Sequence, residues 1–128
     1  MRERNLGHDV ASLKVFQRAY GVSLDVHRAS LKFPKTEQFG GIADQLRRSS
    51  KSVCALLVEG AGRQGDDDVE FRRYARMALG SAEETRLWCR YGRDLGYVAP
   101  DEAQRWDAEY SEIVRMLQGL VKRLSVRC

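Results

Sequence analysis

The chain has 128 residues, of which 43% are hydrophobic and 31% are charged, and its formal net charge is +4. A chain of this length fits one domain that buries roughly two thirds of the surface its unfolded form exposes. The longest apolar run, residues 53–58, is far shorter than the ~20 residues that cross a bilayer, and the polar start has no signal-peptide core. We therefore expect a cytoplasmic protein without a membrane segment.

The cysteines give no sign of a disulfide framework or a metal site. Cys54, Cys89 and Cys128 are odd in number and widely spaced, which matches neither paired disulfides nor a zinc-binding Cys-x-x-Cys pair. Buried thiols are the simpler interpretation for the first two. The sequence predicts no cofactor and no metal.

The first helix is predicted over residues 12–31, because large side chains repeat there at intervals of three and four. Pro34 closes this segment, since a proline disfavours helix in the residue before it. The side chains expected to form the buried stripe are Leu13, Phe16, Tyr20, Leu24, His27 and Leu31.

The second helix is predicted over residues 37–60, with Thr36 as its N-cap and glycines at its end. Small polar residues interrupt its apolar stripe, and their size allows a neighbouring helix to approach closely. The expected core positions are Phe39, Ile42, Leu46, Val53 and Leu57.

The third helix is expected over residues 66–94, where three aspartates cap its first amides and Gly96 stops it. A tight helix crossing is expected at Gly80, because a glycine inside a helix costs up to about 1 kcal/mol and needs compensation. The outer face beside it carries Ala75, Leu79 and Ala82, which suggests a subunit contact.

The fourth helix is predicted over residues 100–125, with Pro100 in its first turn. Its acidic residues come early and its basic residues late, which suits the helix dipole. One narrow stripe must be buried, and its members are Trp106, Tyr110, Ile113, Leu117, Leu120 and Leu124.

Four amphipathic helices with short connections predict an all-α, antiparallel up-down-up-down four-helix bundle. We expect residues 1–9 to form a flexible N-terminal arm and residues 10–128 to form the bundle domain.

Six short segments, taken in order and spacing, resemble the bacterial four-helix-bundle proteins encoded in intervening sequences of 23S ribosomal RNA genes. They are LKVFQ at 13–17, FPK at 33–35, QLRRSS at 45–50, EGAGR at 59–63, ALGS at 78–81 and LGY at 95–97. The resemblance spans residues 12–124 and implies a ring-like homopentamer. A related branch, the accessory variability determinant of diversity-generating retroelements, is a basic pentamer that binds a reverse transcriptase and nucleic acid.

Arginines suggest where RNA or DNA would bind, because guanidinium groups on successive helical turns suit phosphate oxygens. On the third helix they fall within a sector of roughly 100°, and on the second helix they point away from the apolar stripe. The candidate nucleic-acid-binding residues are Arg47, Arg48, Lys51, Arg72, Arg76, Arg86, Arg90 and Arg93.

A rival interpretation of the third-helix sector is a solvated or subunit-bridging charged face. Asp68, Glu83 and Asp94 share the sector, and pairs such as Glu83 with Arg86 partly neutralise it.

Glu59 requires compensation, since a carboxylate near a helix C-terminus is opposed by the dipole. We expect a structural ion pair, either with Arg63 or with Arg47 or Arg48 of a neighbouring chain. His27 is expected to be a satisfied interface side chain rather than a ligand. No base is expected near the serines at positions 49, 50 and 52, so a nucleophile is not predicted there. The three aspartates at 66–68 are expected to cap the helix rather than to bind a cation.

Without an acid–base constellation, we expect no enzymatic activity. The leading hypothesis is a homo-oligomeric accessory protein that binds RNA or DNA through the outer surface of the second and third helices. The alternative is a structural module that binds another protein and no nucleic acid.

Overall fold

A computed structural model describes residue 10, residues 13–65 and residues 67–124. Four α-helices account for most of this part of the chain, which contains no strand. Their bounds are α1 Lys14–Ser30, α2 Ile42–Gly62, α3 Val69–Asp94 and α4 Pro100–Arg123. The predicted arm at residues 1–9 and Cys128 lie outside the described residues.

Where two helices are in contact, residue numbers rise along one helix as they fall along the other, which is the order that antiparallel neighbours produce. The pairs are Arg18 with Glu109, Asp25 with Arg105, His27 with Lys51, Ser30 with Arg47, Ser52 with Ser81, Ser49 with Thr85, Arg72 with Val121, and Arg86 with Asp107. Helix α1 also packs against α4, so the four helices enclose one core. The predicted all-α four-helix bundle is confirmed.

The centre of the core comes from α4, whose predicted apolar stripe is confirmed. Each of the six stripe residues, from Trp106 to Leu124, is at most 1% exposed. The helix begins as predicted, with Pro100 in its first turn, where a missing N–H is no loss. The Trp106 indole N–H has no hydrogen-bond partner among the described residues.

The stripe predicted for α1 is wrong at its centre and end, because the helix has a second apolar stripe of smaller residues and the core takes that one. Leu13 and Phe16 of the predicted stripe still pack, partly buried, against the core. The buried residues of α1 are Val15, Ala19, Val22, Ser23, Val26 and Ser30. By contrast, Tyr20 is 53% exposed and Leu31 is 59% exposed. Short side chains allow α1 to lie close to α2 and α4, so its larger side chains remain on the outside.

The start of α2 also differs from the prediction. Residues Lys35–Glu37 form a short 3₁₀ turn, and α2 begins only at Ile42. Gly40 has a φ of +76°, in the left-handed region that favours glycine, and this breaks the helical path. Phe39 is therefore 94% exposed rather than buried. The Glu37 carboxylate, and not Thr36, caps α2 by accepting the Ile42 N–H at 2.8 Å.

Helix α3 begins and ends close to the predicted positions. Asp67 caps it by accepting the Val69 N–H at 3.1 Å, whereas Asp66 lies outside the described residues. Gly96, with a φ of +80°, terminates the segment as expected. Ala75 and Ala82 are completely buried, so the outer apolar face predicted at these alanines is wrong.

The close crossing of α2 and α3 occurs at Gly60 rather than at the predicted Gly80. A Cβ added to Gly60 would lie 2.5 Å from the Tyr74 Cβ and 3.2 Å from the Phe71 Cδ1, whereas one added to Gly80 would meet no atom within 4 Å. Small polar side chains continue the crossing, as expected: the hydroxyl oxygens of Ser49 and Thr85 are 2.8 Å apart.

Replacing Gly60 with alanine should therefore destabilise the fold by about 1–3 kcal/mol, because the added methyl overfills the crossing. The matched control is Gly21→Ala in α1, where the added Cβ meets no atom within 4 Å. This control should stabilise the fold by about 0.5–1 kcal/mol through helix propensity. Urea unfolding followed by circular dichroism, at one protein concentration, measures both. Equal stability of Gly60→Ala and the unsubstituted protein would contradict the close crossing.

Candidate nucleic-acid interface

Two of the five candidate arginines of α3 form hydrogen bonds to α4, and two more, Arg90 and Arg93, line a groove together with α4 residues. Arg72 donates from Nε to the Val121 carbonyl at 3.2 Å. Arg86 donates from Nε to Asp107 at 3.0 Å and from Nη1 to Glu83 at 3.3 Å. These contacts make Arg72 and Arg86 links between α3 and α4, as well as parts of a surface.

The other three candidate arginines of α3 differ in whether their guanidinium groups form hydrogen bonds or ion pairs within the chain. Arg93 donates from Nε to Asp94 at 2.8 Å, and this hydrogen bond holds the pKa of the Asp94 carboxyl below its ordinary value. Arg76 and Arg90 are exposed and form no hydrogen bond or ion pair with another described residue. Their guanidinium groups are available to a ligand.

The candidate residues of α2 lie on the other side of the bundle, beside α1. Arg47 is half-buried: it donates from Nη1 to the Ser30 hydroxyl at 2.8 Å and from Nη2 to the Gln38 carbonyl at 2.9 Å. It therefore anchors the α1–α2 connection. Arg48 is largely exposed, 3.6 Å from Asp44.

The structure consequently does not join the two arginine groups into one surface. Lys51, on α2, contacts His27 of α1, whereas Arg86, on α3, contacts Asp107 of α4. A ligand that follows the α3 arginines runs along the α3–α4 face and does not meet the cations of α2.

Glu59 forms an ion pair with Arg63, whose Nη2 lies 3.2 Å from the carboxylate. The Tyr74 hydroxyl donates to the same carboxylate oxygen at 3.4 Å. The guanidinium of Arg63 also lies 5.4 Å from the centre of the Tyr74 ring. Arg63 therefore compensates the unfavourable position of Glu59 without a neighbouring chain.

The sequence pattern did not reveal a second group of cations, because the basic residues late in α4 are also explained by the helix dipole. The antiparallel packing places the end of α4 beside the starts of α1 and α3. We define the basic end of the bundle as Lys14, Arg72, Arg76, Arg115, Lys122 and Arg123. A groove between α1 and α4 is lined by three of its members, Lys14, Arg115 and Arg123.

The carboxylates of α2 and α3 at this end have partners within the chain: Glu59 pairs with Arg63, Glu70 pairs with Arg73, and Asp68 accepts a hydrogen bond from Gln64. On α4 the last acidic residue is Glu112, which is paired with Arg115, and on α1 the first is Asp25. The Arg115 guanidinium holds the pKa of Glu112 below its ordinary value. Glu109, the preceding carboxylate on α4, forms a bidentate ion pair with Arg18, which donates from Nη2 at 2.8 Å and from Nε at 2.9 Å.

The thiols and hydroxyls of the core are poorly suited to nucleophilic chemistry. Burial raises the pKa of Cys54 to about 11 and that of Cys89 to about 12, so both thiols are protonated at neutral pH.

Within residues 13–65 and 67–124, no group of three or more His, Cys, Asp or Glu is placed to hold a metal ion. None of the described helices is long and apolar enough to span a membrane.

The His27 side chain is half-buried, and the Lys51 Nζ lies 2.7 Å from its Nδ1. Desolvation, followed by the nearby charges of Lys51 and Arg47, lowers the pKa of His27 below its ordinary value of 6.5. Because the folded state favours neutral imidazole, the contribution of His27 to stability is present above pH 6.5 and is lost as the pH falls.

We therefore predict an NMR titration midpoint below 6.5 for His27, and a higher midpoint in Lys51→Met, where one cation is removed. A His8→Gln variant identifies the His27 resonance. A midpoint that does not move in Lys51→Met would contradict the contact between these two side chains.

Comparisons with known proteins identify the family. The family profile described as "23S rRNA-intervening sequence protein" matches residues 11–119. A solved structure of a protein of unknown function from the S23 ribosomal protein family of Bacteroides thetaiotaomicron superposes with a TM-score of 0.72 at 19% identity, and the match covers 84% of this chain and 98% of that one. No curated protein matches the chain. At that identity the structural likeness supports the fold alone, but the profile match extends over most of the sequence: the chain belongs to the 23S rRNA-intervening sequence protein family.

Proposed function

We propose that this protein is a non-enzymatic, cytoplasmic accessory factor that binds RNA or DNA as a homo-oligomer. The observation that carries the proposal is the basic end of the bundle, where three helices contribute six cations. Nucleic-acid backbones are recognised largely through such clusters, because each phosphate contact releases condensed counterions. The homopentamer that the family resemblance implies would repeat the basic end around a ring and multiply its contacts with one nucleic acid.

The exposed cations favour contact with phosphates rather than with bases. Arg76, Lys122 and Arg123 lie on rigid helices and form no ion pair with another described residue. Because these three cations lie on helix surfaces rather than on a loop or strand that enters a groove, the proposed binding depends on charge and tolerates many sequences. Arg90 extends the same α3–α4 face toward the other end of the bundle.

A structural module that binds another protein is the second candidate function. It is favoured by Arg47, Arg86 and Arg93, whose guanidinium groups are engaged in contacts within the chain. In this case the arginines would stabilise the bundle, and nucleic acid would not be the ligand.

Salt-dependent binding distinguishes the two functions. We expect the protein to bind fluorescently labelled single-stranded RNA or DNA at about 50 mM salt, and the affinity to fall steeply as salt increases. The triple variant R76A/K122A/R123A should reduce the slope of log K against log salt by about 2, since each phosphate contact to a single strand contributes about 0.7. Fluorescence anisotropy across a salt series measures this slope.

The matched control is R28A/K32A/K35A, which removes three exposed cations at the opposite end of the bundle. It lowers the net charge by the same amount and should leave the slope within error of the unsubstituted protein. Absence of binding at about 50 mM salt would reject the nucleic-acid function. An equal loss in both triple variants would reject the basic end as its location.

A further inference from the structure

Two faces of the bundle combine exposed apolar side chains with a charge whose described partner is uncharged: Lys51 contacts His27, and Glu84 accepts the Trp88 indole N–H at 3.0 Å. The first, the α1–α2 groove, has a volume of about 580 Å³ and is lined mainly by Phe16, Tyr20, Leu24, Ala55 and Val58, with Lys51 toward one end. The second, the α3 outer face, carries Met77, Gly80, Glu84, Leu87 and Tyr91. Neither Lys51 nor Glu84 forms an ion pair with another described residue.

The heights of these charges along the bundle follow from the contacts between α2 and α3. The Ser52 and Ser81 hydroxyl oxygens are 2.9 Å apart, so Lys51 lies at the level of residues 81–84. The Tyr74 hydroxyl contacts Glu59, which also lines the groove, so Glu59 lies at the level of Arg73.

The positions of these charges along the bundle axis favour one orientation for a second copy of the chain. If the copy runs in the same direction, Lys51 in the groove faces Glu84. Glu59 then faces Arg73, in addition to the ion pairs that these two residues form with Arg63 and Glu70 of their own chains. If it runs in the opposite direction, like charges meet at both positions, and such juxtapositions cost several kcal/mol. A second copy running in the same direction therefore gives Lys51 and Glu84 the oppositely charged neighbour that each lacks among the described residues of its own chain.

The exposed apolar side chains that lie between the two charged positions along the bundle axis are compatible with the same arrangement. Tyr20 and Val58 are 53% and 49% exposed in the groove, and Met77 is 43% exposed on the α3 outer face. Gly80, beside Met77, is exposed and has open space where a Cβ would lie. A helix-interior glycine costs about 1 kcal/mol relative to alanine, and contact with another backbone would offset that cost.

We propose that the α1–α2 groove of one chain receives the α3 outer face of a second copy running in the same direction, with Lys51 opposite Glu84. The contact is heterologous, since each chain presents a different face to each neighbour, so it generates a ring or an open filament rather than a twofold dimer. The inference deepens the self-association in the proposed function, on which it rests, by assigning the surfaces that meet.

Charge reversal tests this pairing. The full-length single variants Lys51→Glu and Glu84→Lys should each raise the dissociation constant for self-association at least about tenfold, because each places like charges in contact. The double variant K51E/E84K should return it to within about threefold of the unsubstituted protein, because the pair is restored with reversed polarity. Analytical ultracentrifugation over a concentration series, without nucleic acid, measures the constants. Lys32→Glu, an equal charge change at an exposed residue between α1 and α2, is the matched control and should have no effect.

A second variant tests the apolar contact independently of charge. Gly80→Gln adds a helix-compatible side chain in open space, so it should weaken association at least about tenfold while the circular dichroism spectrum of the folded chain is retained. A monomeric unsubstituted protein at all concentrations would overturn both the self-association and the assigned surfaces. An oligomer that neither single charge reversal nor Gly80→Gln weakens would overturn the assigned surfaces alone. Failure of K51E/E84K to restore association would overturn the opposition of Lys51 and Glu84.

Discussion

The volume of the α4 side chains is the constraint on which the rest of the structure depends. Trp106, Tyr110 and their neighbours fill the centre of the bundle, and protein interiors pack at nearly crystalline density. The other helices contribute a few large side chains to this core, such as Phe71 and Leu46, and small side chains at many of the remaining positions where they face α4 and one another. The small residues that are buried there include Ala19, Ala43, Gly60, Ala75, Ala78 and Ala82.

The composition of the surface follows from this division of volume. Helix α1 has a large and a small apolar stripe, and only the small one fits beside α4. Tyr20 and Leu31 consequently remain exposed, as do Met77 and Tyr91 on α3. A chain of this size exposes apolar patches of such extent mainly where it contacts another surface, which connects the packing of the core to the proposed self-association.

The arginines divide into those that hold helices together and those that remain available. Arg18, Arg47 and Arg86 link neighbouring segments through carboxylates, a hydroxyl or backbone carbonyls. Surface pairs of this kind contribute at most about 1 kcal/mol each, so their main effect is to orient the helices. Arg76 and the cations at the end of α4 have no such role among the described residues, and they are the strongest candidates for binding a polyanion.

The sequence by itself determined the number of helices, most of their bounds and the buried stripe of α4. The helical repeat of 3.6 residues, and the glycines and prolines at the ends of helices, are local features of the chain. It could not decide which apolar stripe of α1 is buried, since that choice depends on the volume that α4 leaves free. Local pattern also could not show that Arg47 and Arg72 lie on different faces, or that Lys14 and Arg123 share a groove. Only the tertiary structure decided these relations, because they arise from antiparallel packing between helices that are distant in the chain.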